Sequence, residues 1–201
     1  MSSNMDKSVD LVENTEKSKT YLGFWIYIMT DCVLFASLFA VYAVLHHNTN
    51  GGPSGQSLFS MPYALAETLI LLTSSFTSGL SMIAARNSHR SKVIFWLVVT
   101  FLLGSTFLYL ELHEFNHLVQ TGDSWRVSGF LSSYFTLVGT HGLHIFVGLL
   151  WMTILTLVVM KRGLTKGSVK GLTLLNIFWH FLDVIWIFIF SVVYLMGHIG
   201  L

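Results

Sequence analysis

The stretch most suggestive of chemistry is His113-Glu114-Phe115-Asn116-His117. On a helix its two histidines stand one turn apart, the arrangement in which they bind zinc while the glutamate acts as general base. A catalytic zinc needs a third protein ligand, for which Glu67, Glu111 and His141 are available. Glu114 and His117 are also half of a carboxylate di-iron signature, but the sequence has no second such pair. A second group is Phe178-Trp179-His180-Phe181-Leu182-Asp183-Val184-Ile185-Trp186. Trp179, Asp183 and Trp186 follow the i, i+4, i+7 rule and His180 is three before Asp183, so one helix face is expected to carry two ionisable groups and two indole donors. His141 and His144, three apart, form a third group that suits either ligation or hydrogen bonding within a core. A haem between His144 and His180 fits poorly, because the two differ by roughly 10 Å in depth at 1.5 Å per residue.

These groups lie in or beside very apolar sequence. Of 201 residues 53% are hydrophobic and only 10% charged, and the mean hydropathy is +0.66, far from a soluble domain with about a quarter charged residues. Five apolar stretches, at 22–46, 61–85, 93–115, 129–160 and 172–197, each exceed the ~20 residues that cross a bilayer. The expected fold is an all-α membrane protein, a five-transmembrane-helix bundle over 21–201, preceded by a disordered cytoplasmic tail at 1–20 without the apolar core of a signal peptide. The fourth stretch, at about 45 Å, is longer than a ~30 Å hydrocarbon core and should tilt or protrude. A net charge of +1 gives no basic field for nucleic acid. The single cysteine, Cys32, rules out an internal disulfide and any all-cysteine metal site.

Ten of the eleven Lys and Arg precede helix 1 (Lys7, Lys17, Lys19), join helices 2 and 3 (Arg86, Arg90, Lys92) or join helices 4 and 5 (Lys161, Arg162, Lys166, Lys170); only Arg126 is on the other side. That bias puts the N-terminus in the cytoplasm and the C-terminus outside. The loop at 48–55 is turn chemistry on the outer side, and Trp25, Trp96 and Trp125 lie where interfacial anchors are expected. Asp31, His180 and Asp183 then fall roughly 12 to 17 Å from the cytoplasmic helix ends and could meet in an inner layer. Glu67, Glu111, Glu114, His141 and His144 fall toward the outer surface. A lone charge at such depth costs several kcal/mol, so the acids are expected to pair with histidines, hydroxyls or a lipid headgroup, or to be protonated. Ser74 with Ser78, Ser75 with Gly79 and Thr77 with Ser81, and Gly139, Gly142 and Gly148 on helix 4, suggest close helix approach.

Four stretches carry a resemblance: Gly-Thr-His-Gly-Leu-His at 139–144, Trp-His-Phe-Leu-Asp-Val-Ile-Trp at 179–186, Glu-Leu-His-Glu at 111–114 and Met-Thr-Asp-Cys-Val-Leu-Phe at 29–35. Together, and in the family's order along the chain, they resemble subunit III of the haem–copper terminal oxidases over nearly all the chain beyond its tail. The five-helix form lacks the first two helices of the seven-helix mitochondrial version, and 23–29 with the Gly-Gly-Pro loop most resembles the bo-type ubiquinol oxidases. The resemblance implies an accessory subunit of a complex that oxidises ubiquinol, reduces oxygen to water and moves protons across the bacterial inner membrane. It implies no redox centre in this chain, haems and copper in subunit I, contacts with subunits I, II and IV, and bound phospholipid. A cytochrome c oxidase subunit III is the related alternative, and a membrane zinc metalloprotease using His113, Glu114 and His117 the unrelated one. Asp31 stands where the family usually has a glutamate known for reacting with carbodiimide.

Overall fold

A computed structural model of the chain describes residues 2–46, 48, 61–120 and 128–195, with side chains from Ser18 onward. Most of the 48–55 turn loop, Trp125, Arg126 and the expected end of the last helix at 196–197 lie outside the described residues. The described residues form five helices: α1 (Ser2–Leu45), α2 (Met61–Arg86), α3 (Arg90–Gln120), α4 (Gly129–Arg162) and α5 (Lys166–Ile189), the last running directly into a π-helical turn at Phe190–Leu195. All five are long and apolar enough to cross a membrane. The chain divides into two compact units, Met1–Ala36 and Ser37–Leu201.

In the first unit α1 is helical from Ser2, across the segment expected to be an unstructured tail. No Pro or Gly occurs before Gly23, and Lys, Glu and Leu recur throughout, so intrinsic propensity carries the helix outward from the apolar part. Ile28, Asp31 and Phe35 share one face and are buried.

In the second unit the connections are shorter than the composition suggests. Three residues join α2 to α3, with Ser88 at φ 55° and the Ser88 and His89 amides donating to Ala85 and Ala84 carbonyls at 3.1 and 3.0 Å. Three more join α4 to α5. There Gly163 takes φ 75°, a conformation that favours glycine, and its amide closes α4 on the Val159 carbonyl at 3.0 Å. Thr165 caps α5 by accepting from the Ser168 amide at 3.2 Å, which starts the helix at Lys166, six residues before its expected start at 172. Arg90 donates to the Met160 carbonyl and ties the α2–α3 connection to the last turn of α4. At the opposite end Ser128 caps α4 by accepting from Leu131 at 3.1 Å, and the Tyr42 ring of α1 lies tilted against Phe130 with centroids 6.1 Å apart.

The core is built where α5 meets α2, α3 and α4. Along α2 and α5, antiparallel partners succeed one another: Thr173 with Met82 Sδ at 3.8 Å, Ser78 with Asn176 Oδ1 at 2.8 Å, Trp179 Nε1 with Ser74 Oγ at 2.8 Å, and Trp186 Nε1 with Thr68 Oγ1 at 3.1 Å. Thr77 and Thr100 link α2 to α3 at 2.8 Å. The small hydroxyl residues of α2 therefore satisfy neighbours as well as permitting close packing.

Trp179 is fully buried because two glycines receive it. A Cβ on Gly104 of α3 would lie 2.8 Å from its ring, and one on Gly148 of α4 3.0 Å from it. Gly139 and Gly142 face α3, whereas a Cβ on Gly79 would meet nothing within 4 Å among the described residues. Gly104→Ala should accordingly destabilise the detergent-solubilised protein by about 1–3 kcal/mol through overpacking. Gly79→Ala should stay within about 0.5 kcal/mol; thermal unfolding of both variants against the native chain checks the difference.

Candidate functional site

Two sets of ionisable groups were expected, and the structure keeps one together. Glu67 of α2 and Glu111 and Glu114 of α3 are mutually close enough to interact electrostatically. Glu67 is wholly buried and Glu111 nearly so, while Glu114 is half-buried. α3 runs on to Gln120, five residues past its expected end, so both glutamates sit on continuous helix. Tyr63 of α2 spans to α3 by donating to the Leu110 carbonyl at 2.9 Å.

Glu114 accepts from the Tyr194 hydroxyl at 3.1 Å, and Tyr194 lies 3.1 Å from the Tyr134 hydroxyl. A phenol has one proton to give, so with Tyr194 donating to Glu114, Tyr134 must be the donor to Tyr194. The result is a directed chain from α4 through the π-helical turn to α3. That turn leaves both Val193 and Tyr194 buried, and π-helical insertions of this kind often mark functional positions. Glu111 lies against α4, its Oε1 2.6 Å from where a Cβ on Gly142 would be. Both oxygens of Glu67 and Oε2 of Glu111 have no hydrogen-bond partner among the described residues.

His141 is fully buried, stacked on Trp186 at 5.2 Å with Phe107 edge-on at 5.9 Å. His144, half-buried, has Nδ1 2.7 Å from the Thr140 carbonyl of its own helix. A carbonyl only accepts, so Nδ1 carries that proton.

Members of the inner set fall in both units. Trp179, Asp183 and Trp186 are buried as expected, and neither oxygen of Asp183 has a hydrogen-bond partner among the described residues. His180 is exposed instead of sharing that face. Its Nδ1 lies 2.8 Å from the Asn176 carbonyl, and it lines a shallow groove with Ser75 and Gly79 of α2. A three-residue step turns a helix by about 60° short of a full turn, enough to carry His180 off the edge of the packed stripe. Asp31, in the first unit, is buried and shares a side-chain hydrogen bond with Tyr27 one turn earlier.

His113 and His117, the outer members of the zinc pattern, are both exposed, and no group of three or more His, Cys, Asp or Glu side chains among the described residues could hold a metal ion. The buried imidazole, His141, has one face covered by Trp186. What the cluster can do is hold hydrogen-bond donors and pass a proton along Tyr134, Tyr194 and Glu114. The tyrosines escape a search for His and acidic residues; the available signal was a pair of phenols, Tyr134 and Tyr194, inside otherwise apolar helix.

This architecture has a family. The sequence profile described as Cytochrome c oxidase subunit III matches residues 13–198, and the chain belongs to this subunit III family of the haem–copper oxidases. Within it, the chain is similar to proteins named Cytochrome bo(3) ubiquinol oxidase subunit 3. The one from Pseudomonas aeruginosa is 56% identical over 178 residues, covering 89% of this chain and 85% of the relative; that of Buchnera aphidicola is 46% identical over 180 residues, covering 90% and 93%. A Cytochrome c oxidase subunit 3 from Bacillus sp. strain PS3 is 46% identical over 185 residues, covering 92% and 89%. The chain is thus a multi-pass membrane protein of a respiratory oxidase family.

Tyr194→Phe should cost about 1–3 kcal/mol, because it strands both the Glu114 oxygen and the Tyr134 hydroxyl in a buried site. Tyr134→Phe, which removes only the first donor, should cost about 0.5–1.5 kcal/mol. Detergent thermal unfolding should rank them in that order; the reverse order would contradict the direction assigned to the chain.

Proposed function

We propose that this chain is the accessory subunit III of a proton-pumping ubiquinol oxidase, binding no cofactor itself and stabilising the catalytic subunit. The observation that carries the reading is the 56% identity over 178 residues to a protein named Cytochrome bo(3) ubiquinol oxidase subunit 3. In this reading the haems and copper reside in subunit I, which is the main contact, with subunits II and IV and phospholipids as further partners. Ten of the eleven basic residues support an N-terminus in the cytoplasm and a C-terminus in the periplasm of a bacterial inner membrane. Asp31 and Asp183, both ionisable and buried, are each proposed to take part in a polar network or lipid contact.

A cytochrome c oxidase subunit III is the second reading, favoured by the Bacillus relative of that name. The electron donor separates the two. The zinc-protease reading is set aside, since His113 and His117 are exposed and have no third ligand grouped with them among the described residues.

Purification in mild detergent should bring the chain down with larger haem-bearing subunits, and the preparation should oxidise ubiquinol and not ferrocytochrome c. Isolation of the chain alone with stoichiometric zinc, or turnover with cytochrome c only, would refute the proposal. Asp31→Asn should reduce retention of the subunit severalfold with haem spectra unchanged; full retention and turnover would remove Asp31 from the network.

A further inference from the structure

Between α3 and α4 a groove of about 260 Å³ opens on the side of the helix pair, lined by Leu108, Glu111, Phe115, Gly139, Gly142 and Phe146 among others. Its rim is apolar and outward-facing: Leu112, Leu143 and Phe146 are about half exposed. Glu111 is the one ionisable residue that lines it, is 2% exposed, and has no hydrogen-bond partner for Oε2 among the described residues. The glycines shape the wall. A Cβ on Gly142 would lie within 3 Å of three carboxyl atoms of Glu111, so only a glycine lets the carboxyl reach α4. A Cβ on Gly139 would meet only Phe115, at ordinary contact distance.

A single buried carboxyl in an otherwise apolar groove calls for a ligand that donates a hydrogen bond and is otherwise apolar. We propose that the α3–α4 groove binds the ring of a membrane-dissolved quinol, with a ring hydroxyl donating to the Glu111 carboxyl. The naming of a quinol rests on the reading of the chain as a ubiquinol oxidase subunit, whereas the demand for an apolar donor does not. Pockets for whole drug-sized ligands run to about 300–1,000 Å³, so this one takes a ring and leaves the isoprenoid tail along Leu112, Leu143 and Phe146. The backbone of α4 at Gly139 and Gly142 offers a flat wall and Phe115 an aromatic flank. A phospholipid headgroup fits worse, because the lining gives its phosphate no basic side chain and is apolar apart from Glu111.

The test uses the intact oxidase complex in phosphatidylethanolamine nanodiscs with two probes bearing the same tail diazirine, a ubiquinol and a phosphatidylethanolamine. The ubiquinol probe should label peptides from 108–115 or 139–146, and unlabelled ubiquinol should compete. Gly139→Leu fills the groove and Glu111→Met removes the acceptor; each should lower labelling about tenfold, the effect of losing ~1.4 kcal/mol. Leu143→Trp, which blocks the mouth from an exposed position, replaces Gly139→Leu if that variant does not assemble. Labelling elsewhere, labelling indifferent to these substitutions, or stronger labelling of the same peptides by the phospholipid probe overturns the proposal. Ubiquinol turnover measured alongside separates the failures. Turnover without groove labelling removes the site and leaves the subunit assignment standing, and groove labelling in a complex that oxidises only cytochrome c removes the assignment and leaves the site.

Discussion

The structure depends on the antiparallel seam between α2 and α5, and within it on Trp179. In hydrocarbon an indole N–H cannot fall back on water, so its partner must come from protein. Ser74 supplies that partner at 2.8 Å. The ring can reach it only because Gly104 and Gly148 leave room on α3 and α4. One side chain of α5 thus touches three other helices. The hydrogen bonds of the seam are individually small, averaging about 0.6 kcal/mol in a membrane protein. Packing of the large ring against two helix backbones is the greater contribution, since lipid gives apolar residues no comparable drive to associate. The hydrogen bonds set the register, and the ring contacts hold the helices at close range.

The acids follow from the same constraint with less complete satisfaction. Glu114 is drawn into the chain from Tyr134 and Tyr194, and Glu111 is pressed against Gly142. Glu67 and Asp183 are buried with no hydrogen-bond partner among the described residues. Groups of this kind are costly inside a membrane and mark functional positions more often than packing positions. Among the described residues the histidines are stacked, tied to their own helix carbonyls or exposed, which leaves these acids as the groups with chemistry to offer.

Helix number, helix class and the family were all legible in the sequence. Five long apolar runs leave few alternatives, and the motif at 179–186 is specific. Trp179, Asp183 and Trp186 were correctly assigned to one buried face because the seven-residue repeat fixes them whatever the neighbours. His180 was not, since a residue at the edge of a stripe is buried or exposed according to how the next helix crosses, and sequence spacing carries no crossing angle. Over residues 1–20 polarity speaks to burial and not to backbone propensity, and α1 is helical from Ser2. The tyrosine pair went unnoticed because Tyr194 owes its place to a π-helical turn that ordinary 3.6-residue counting does not anticipate.

The seam is tested most directly by a double-mutant cycle on Ser74 and Trp179, with Ser74→Ala, Trp179→Phe and their combination compared by reversible unfolding in detergent. A real hydrogen bond between them predicts that the combined loss falls short of the sum by about 0.5–1.5 kcal/mol. Strict additivity would show that the two residues do not interact and that α2 and α5 are aligned by something else.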